Sequence, residues 1–110
     1  MAKNRISAIP LTTFDSAAVT LTFQPINPDG LPHPCTILRV INGSTESVSI
    51  SYDGTTENDV LASGDTLQIN AQTNAQPANQ FSLWPRGTVV YIRGTAGTGG
   101  ISVAGYYNPY

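Results

Sequence analysis

The chain is short of charge and of the side chains that catalysis uses most. Only 11% of its 110 residues are charged, and it has one histidine and one cysteine. A lone cysteine, Cys35, excludes an internal disulfide and a cysteine-built metal cage. The five cationic residues, Lys3, Arg5, Arg39, Arg86 and Arg93, are scattered, and the net charge is −2. Phosphate binding needs cations gathered on one surface to displace counterions, so direct nucleic-acid binding is not expected. No apolar run is long enough to cross a membrane as a helix, and MAKNRISAIPL lacks the apolar stretch of a signal peptide. The sequence therefore predicts a chain made in the cytoplasm, soluble, and without a membrane partner.

What is present suits β-structure. Hydrophobic residues make up 40% of the chain. Thr, Ser, Asn and Gln replace Lys and Glu as the polar partners, a choice that fits exposed strand faces better than helices. Alternation with period two recurs. In VTLTF, Val19, Leu21 and Phe23 share a face; in TILRVIN, Ile37, Arg39 and Ile41 oppose Leu38 and Val40. Val48, Ile50 and Tyr52 alternate with Ser47, Ser49 and Ser51; Leu67 pairs with Ile69, Val90 with Ile92, and Ile101 and Val103 with Tyr107. Between these runs stand Asn42-Gly43-Ser44, which reads as a tight hairpin, then Asp53-Gly54, Ser63-Gly64-Asp65, Arg86-Gly87-Thr88 and the loop Gly94 to Gly100. Turns about every ten residues and no helical periodicity predict an all-β domain. The expected form is an antiparallel β-sandwich or jelly-roll-like barrel of about seven to eight strands. The polar stretch Asn70 to Ala78 reads as a loop or an edge strand.

Two segments stand apart. Residues 1–14 show little alternation, contain Pro10, and read as an extended N-terminal arm; residues 15–110 form the single domain. Within it, 24–35 is a proline-rich connection, with Pro25, Pro28, Pro32 and Pro34 disfavouring a strand.

No catalytic constellation emerges. His33 lies between two prolines, and Cys35, two positions on, enters an apolar strand as a small buried hydrophobe rather than as half of a dyad. Asp53, Glu57, Asp59 and Asp65 fall close together but lack the register of a calcium loop, so turn stabilisation is the expected role. The glycine-rich TAGTGG has no phosphate-loop ending. Catalytic, cofactor and metal residues are all read as none. Trp84, Tyr106 and Tyr110 suit interfaces or, as a distant alternative, sugar platforms in a carbohydrate-binding or adhesion module.

The succession CTILRVINGSTESVSISYDGTTENDVLASGDTLQIN followed by RGTVVYIRGTAGTGGISVAGYY resembles small all-β structural proteins of tailed bacteriophages. SISYDGTTENDVL and YIRGTAGTGGISVAGYY are its most specific pieces, and the likeness spans roughly residues 35–110. The resemblance implies a virion protein: a capsid decoration (cement or staple) protein, or alternatively a head-to-tail connector, neck or tail adaptor. It implies the major capsid protein or other virion proteins as partners, and a homo-oligomer, a dimer or trimer. The residues read as candidate partner contacts are Lys3, Arg5, Ile9, Phe14, Trp84, Tyr106 and Tyr110.

Overall fold

The computed structural model describes residues 7–70 and 84–107. In chain order its strands are β1 (Ser7–Ala8), β2 (Thr12–Asp15), β3 (Gln24–Pro25), β4 (Ile37–Asn42), β5 (Val48–Ser51), β6 (Asp59–Leu61), β7 (Thr66–Asn70), β8 (Tyr91–Gly94) and β9 (Gly100–Tyr107). A 3-10 turn, Ser16–Ala18, follows β2. One sheet runs β1-β9-β4-β7, with β2 also on β9, and the other runs β3-β8-β5-β6. Every pairing is antiparallel.

The partnerships nest: β2 pairs with β9, β3 with β8, β4 with β7 and β5 with β6. This is one long hairpin, its tip at β5–β6, wound so that its length is shared between two sheets. Taking β1 and β2 as one bent strand, there are eight strands in two sheets, which is a jelly roll. The expected sandwich is present.

Alternation explains the core. Leu38 and Val40 face inward from β4, Val48 and Ile50 from β5, Ile92 from β8, and Ile101 and Val103 from β9, each at most 2% exposed. Phe14, Tyr52, Leu67, Trp84 and Tyr107 pack around this centre.

Four local expectations change. First, Asn42-Gly43-Ser44 is not a hairpin, because β4 and β5 belong to different sheets. Asn42 continues the inward register of β4 and is fully buried. Its side-chain amide contacts the carbonyls of Glu46 (2.9 Å), Leu61 (3.0 Å) and Ala62 (3.2 Å). Its Oδ1 accepts from the Ser44 amide and hydroxyl at 3.0 and 2.6 Å. The residue thereby ties the β4–β5 crossing to the β6–β7 crossing.

Second, VTLTF is not a strand. The Thr20 amide bonds the Gln24 side chain, and the Thr20 hydroxyl and Thr22 backbone close a local turn. Alternation is lost there: Val19 is buried, while Leu21 is 79% exposed.

Third, the described part of the expected arm is not free to reach a neighbour. Ser7–Ala8 and Thr12–Asp15 lie on β9. Between them Ile9, Pro10 and Leu11 stand opposite only Ala104 and Gly105, so one extra residue forms a bulge and shifts the period. That break hid the strand.

Fourth, the proline-rich connection is partly structural. Gln24–Pro25 pairs with β8, and Ile26 and Leu31 are buried. The buried Asn27 donates to the Thr88 carbonyl (3.1 Å) and accepts from the Val90 amide (2.8 Å), continuing the strand ladder with a side chain. Gly30 has a φ of +79°, and a Cβ there would stand 2.6 Å from the Gly87 backbone, so only glycine fits.

Replacing Asn42 with Ala removes the side-chain donor to three carbonyls and the acceptor of the buried Ser44 amide and hydroxyl, empties buried volume, and should cost about 2–4 kcal/mol of unfolding free energy. Asn42→Asp should not rescue, since a carboxylate cannot donate to three carbonyls. Equilibrium urea denaturation measures both; a loss under about 0.5 kcal/mol, the range of ordinary surface substitutions, would contradict the role.

Candidate interaction surface

Cys35 is buried, whereas His33 is exposed and stacks on Tyr107. Cys35 is fully buried, and its thiol donates to the His33 carbonyl at 3.3 Å, not to the imidazole. Burial pushes the thiol pKa up, which disfavours the nucleophilic thiolate. The His33 ring stacks on Tyr107, with centroids 4.0 Å apart and planes 10° from parallel. No Cys–His dyad forms. A maleimide reagent should label Cys35 only after denaturation; rapid labelling of the native protein would contradict the burial.

The acidic segment is a self-contained hairpin tip. Asp53 Oδ1 accepts from the Thr55 and Thr56 amides (2.9 and 2.8 Å) and from the Ser51 hydroxyl (2.8 Å). The two amides, then the hydroxyl, hold its carboxyl well below the usual carboxylate range. Ser49 Oγ donates to Glu57 at 2.7 Å, and Arg93 lies 3.4 Å from the same oxygen; both, the serine first, lower the Glu57 pKa. Arg93 also covers the Phe23 ring, 4.3 Å from its centroid. Tyr52 donates to Asp59 at 2.9 Å, and burial, followed by that bond, raises its pKa. Among the described residues no three His, Cys, Asp or Glu side chains gather as a metal site.

The folded Asp53 carboxyl titrates below its unfolded counterpart, so the stability it confers is full above the unfolded pKa and falls away with acidification. Asp53→Ala should therefore lower Tm most near neutral pH, and the gap to wild type should close in acid. A gap independent of pH would show that the carboxylate charge is not what matters.

Of the residues read as partner contacts, Lys3, Arg5 and Tyr110 lie outside the described residues, as does nearly all of the polar stretch Asn70 to Ala78. Ile9 and Phe14 do not present their side chains to a partner. Ile9 is only 9% exposed, and half-buried Phe14 packs against the core, because the β1–β2 bulge turns both inward. Trp84 likewise packs on the core, its ring 5.2 Å from Tyr52, while its backbone exchanges two 2.8 Å bonds with Cys35. Tyr106 stands on the outer face of the first sheet, and its hydroxyl accepts from Arg39 at 3.3 Å. Arg39 and Arg93 occupy different sheets, with Arg86 in a turn, so the described cations form no cluster.

A cleft of about 230 Å³ lies between the β1–β2 bulge and the Asn27–Pro32 loop, with Val103 among its lining and Asp29 as its one charge. It is smaller than the roughly 300–1,000 Å³ of ordinary ligand pockets.

Sheet edges are the remaining surface. On the second sheet, β3 has two residues including Pro25, and β6 has three, beginning with Asp59. On the first, β1 and β2 are short and separated by the bulge, and β2 ends in Asp15. All four carry recognised protections against strand addition. The remaining edge, β7, has five residues, TLQIN, without charge, proline or glycine. Among the described residues it pairs with β4 alone.

No protein-family model matches the chain, and no curated protein matches it. A solved structure of Bacillus endospore appendages, described as a novel family of disulfide-linked pili, is similar over 98% of this chain and 94% of that one. Its identity is 18% and its TM-score 0.46, too distant a likeness to carry an argument about function. Among the described residues no helix is long and apolar enough to cross a membrane.

Sequence reasoning missed Asn42 and Asn27. The signal for Asn42 was available: it follows Leu38 and Val40 at the next inward position, where a polar residue needs buried partners.

Proposed function

We propose that this chain is a structural protein of a bacteriophage particle and works as a capsid decoration protein, without chemistry of its own. The observation that carries the reading is the disposition of its polar groups. The thiol is buried, the hairpin carboxylates Asp53 and Glu57 and the exposed imidazole each have a turn or stacking partner, and the β7 edge TLQIN carries no charge. Such a domain offers contact area and little else. Jelly rolls serve in viral capsids as well as in lectins and cupins, so the fold is compatible with the reading without selecting it. The link to phages rests on the sequence resemblance over residues 35–110. A particle supplies many equivalent sites, so individually weak interfaces hold a decoration protein by avidity. The major capsid protein is its partner on this reading, and the virion its location.

A position at the neck or tail is the second reading, and copy number separates the two. Quantitative mass spectrometry of purified particles should find on the order of hundreds of copies for shell decoration, against about a dozen for a connector ring with closed symmetry. Absence from purified particles overturns both.

A further inference from the structure

The edge of β7 has the wrong chemistry for a solvent boundary. The β4–β7 register sets Ile37 opposite Asn70, Leu38 opposite Ile69, Arg39 opposite Gln68, Val40 opposite Leu67 and Ile41 opposite Thr66. The Asn42 backbone N–H donates to the Asp65 carbonyl at 2.9 Å, which marks that position as a bonded one. Bonded and non-bonded pairs alternate along an antiparallel ladder. Val40–Leu67 and Leu38–Ile69 are therefore bonded pairs, and the Gly43 amide on the Gly100 carbonyl shows the complementary phase, with Ile41, Arg39 and Ile37 bonded to β9. It follows that the amides and carbonyls of Thr66, Gln68 and Asn70 point away from β4, out of the sheet.

We propose that this edge binds a second copy of the chain, β7 against β7 of its partner, antiparallel about a two-fold axis through Gln68. The occupant follows from the edges available. Strand addition favours a partner edge of matching length, and the other four edges among the described residues are shorter, bulged or carry proline or an acidic residue. Among the described edges, β7 alone offers five residues free of all three. Among antiparallel registers, the one centred on Gln68 alone engages all three outward-pointing residues in both copies: Thr66 with the partner's Asn70, Gln68 with the partner's Gln68, and Asn70 with the partner's Thr66. The same register places half-buried Leu67 opposite the partner's Ile69, on the inward face, so that apolar surface left open at the edge is covered. On the outward face it brings amide side chains together, where Gln68 and Asn70 already touch at 3.3 Å within one chain. No charge within TLQIN opposes the approach. The interface is isologous, as two-fold dimers require, and the two first sheets become one continuous sheet. Such a dimer would form whether or not the chain belongs to a particle.

Sedimentation equilibrium of the full chain over a concentration series tests this. Wild type should dimerise. Gln68→Pro deletes the central outward N–H of each copy at an edge position where proline is tolerated, and should raise Kd by about ten- to a hundred-fold with circular dichroism unchanged. Gln68→Lys and Gln68→Glu, each set against its own like charge at the axis, should both weaken self-association, and an equimolar mixture should recover a heterodimer. A wild type that stays monomeric, a Gln68→Pro variant that is folded and still dimeric, or a charge pair no better mixed than alone overturns the proposal. A monomeric wild type that is nevertheless present in particles would overturn it while leaving the particle reading intact.

Discussion

The jelly roll depends on a buried amide. Winding a long hairpin into two sheets forces the chain to cross between them, and at the Asn42 end two crossings run side by side, β4 to β5 and β6 to β7. Crossing backbone cannot use the ladders it has just left, so its carbonyls must be paired by other means or stay buried at a cost. Asn42 supplies donors to carbonyls from both crossings and an acceptor to Ser44. An apolar residue there would fill the same volume and remove the donor shared by the three carbonyls, of which Ala62 and Glu46 would keep only the Asp65 amide and the Ser44 hydroxyl. At the proline-rich connection Asn27 does related work, bonding Thr88 and Val90 where proline and a turn interrupt the strand. Two asparagines thus hold the places where the wound hairpin leaves its sheets.

With the crossings fixed in this way, the reactive groups add contacts of their own within the fold. The hairpin tip at β5–β6 must reverse a strand, and Asp53, Ser51 and the Thr55 and Thr56 amides accomplish it through one carboxylate oxygen. Cys35 sits where an added Cβ on Gly105 would come within 3.0 Å of its sulfur, so the thiol fills the space over a glycine in β9. His33 covers Tyr107. The thiol, the exposed imidazole and the hairpin carboxylates each have a packing or turn contact within the fold.

How far this was legible varied with the physics. The inward positions of β4, β5, β8 and β9 followed from alternation, because each strand is long enough to show a period and has one buried face. β2 was illegible because the bulge at Ile9–Leu11 shifts its phase, so the strand reads as an arm. VTLTF misled in the opposite direction. Its alternation is real, but threonine and glutamine side chains bonding the local backbone offered a competing turn, and Leu21 was left in solvent. Asn42-Gly43 carried the composition of a hairpin, yet composition does not say whether the next strand pairs or crosses. Among the candidate contacts, the arm reading of residues 1–14 suggested exposure for Ile9 and Phe14, and side-chain type suggested it for Trp84, whereas all three pack in or against the core.

The scarcity of charge connects the surface to the edge. Chains that remain single commonly guard a long edge with lysine, an inward charge, proline or a bulge. This one uses a proline in β3, an aspartate in β6 and a bulge between β1 and β2, but puts nothing of the kind in β7. Low overall charge alone does not explain the omission, because Asp65 stands immediately before β7 and Arg39 directly across from Gln68 on its neighbour. Charge is at hand on either side of the strand and absent from it. An unguarded edge among guarded ones is the pattern expected when that strand is meant to be covered.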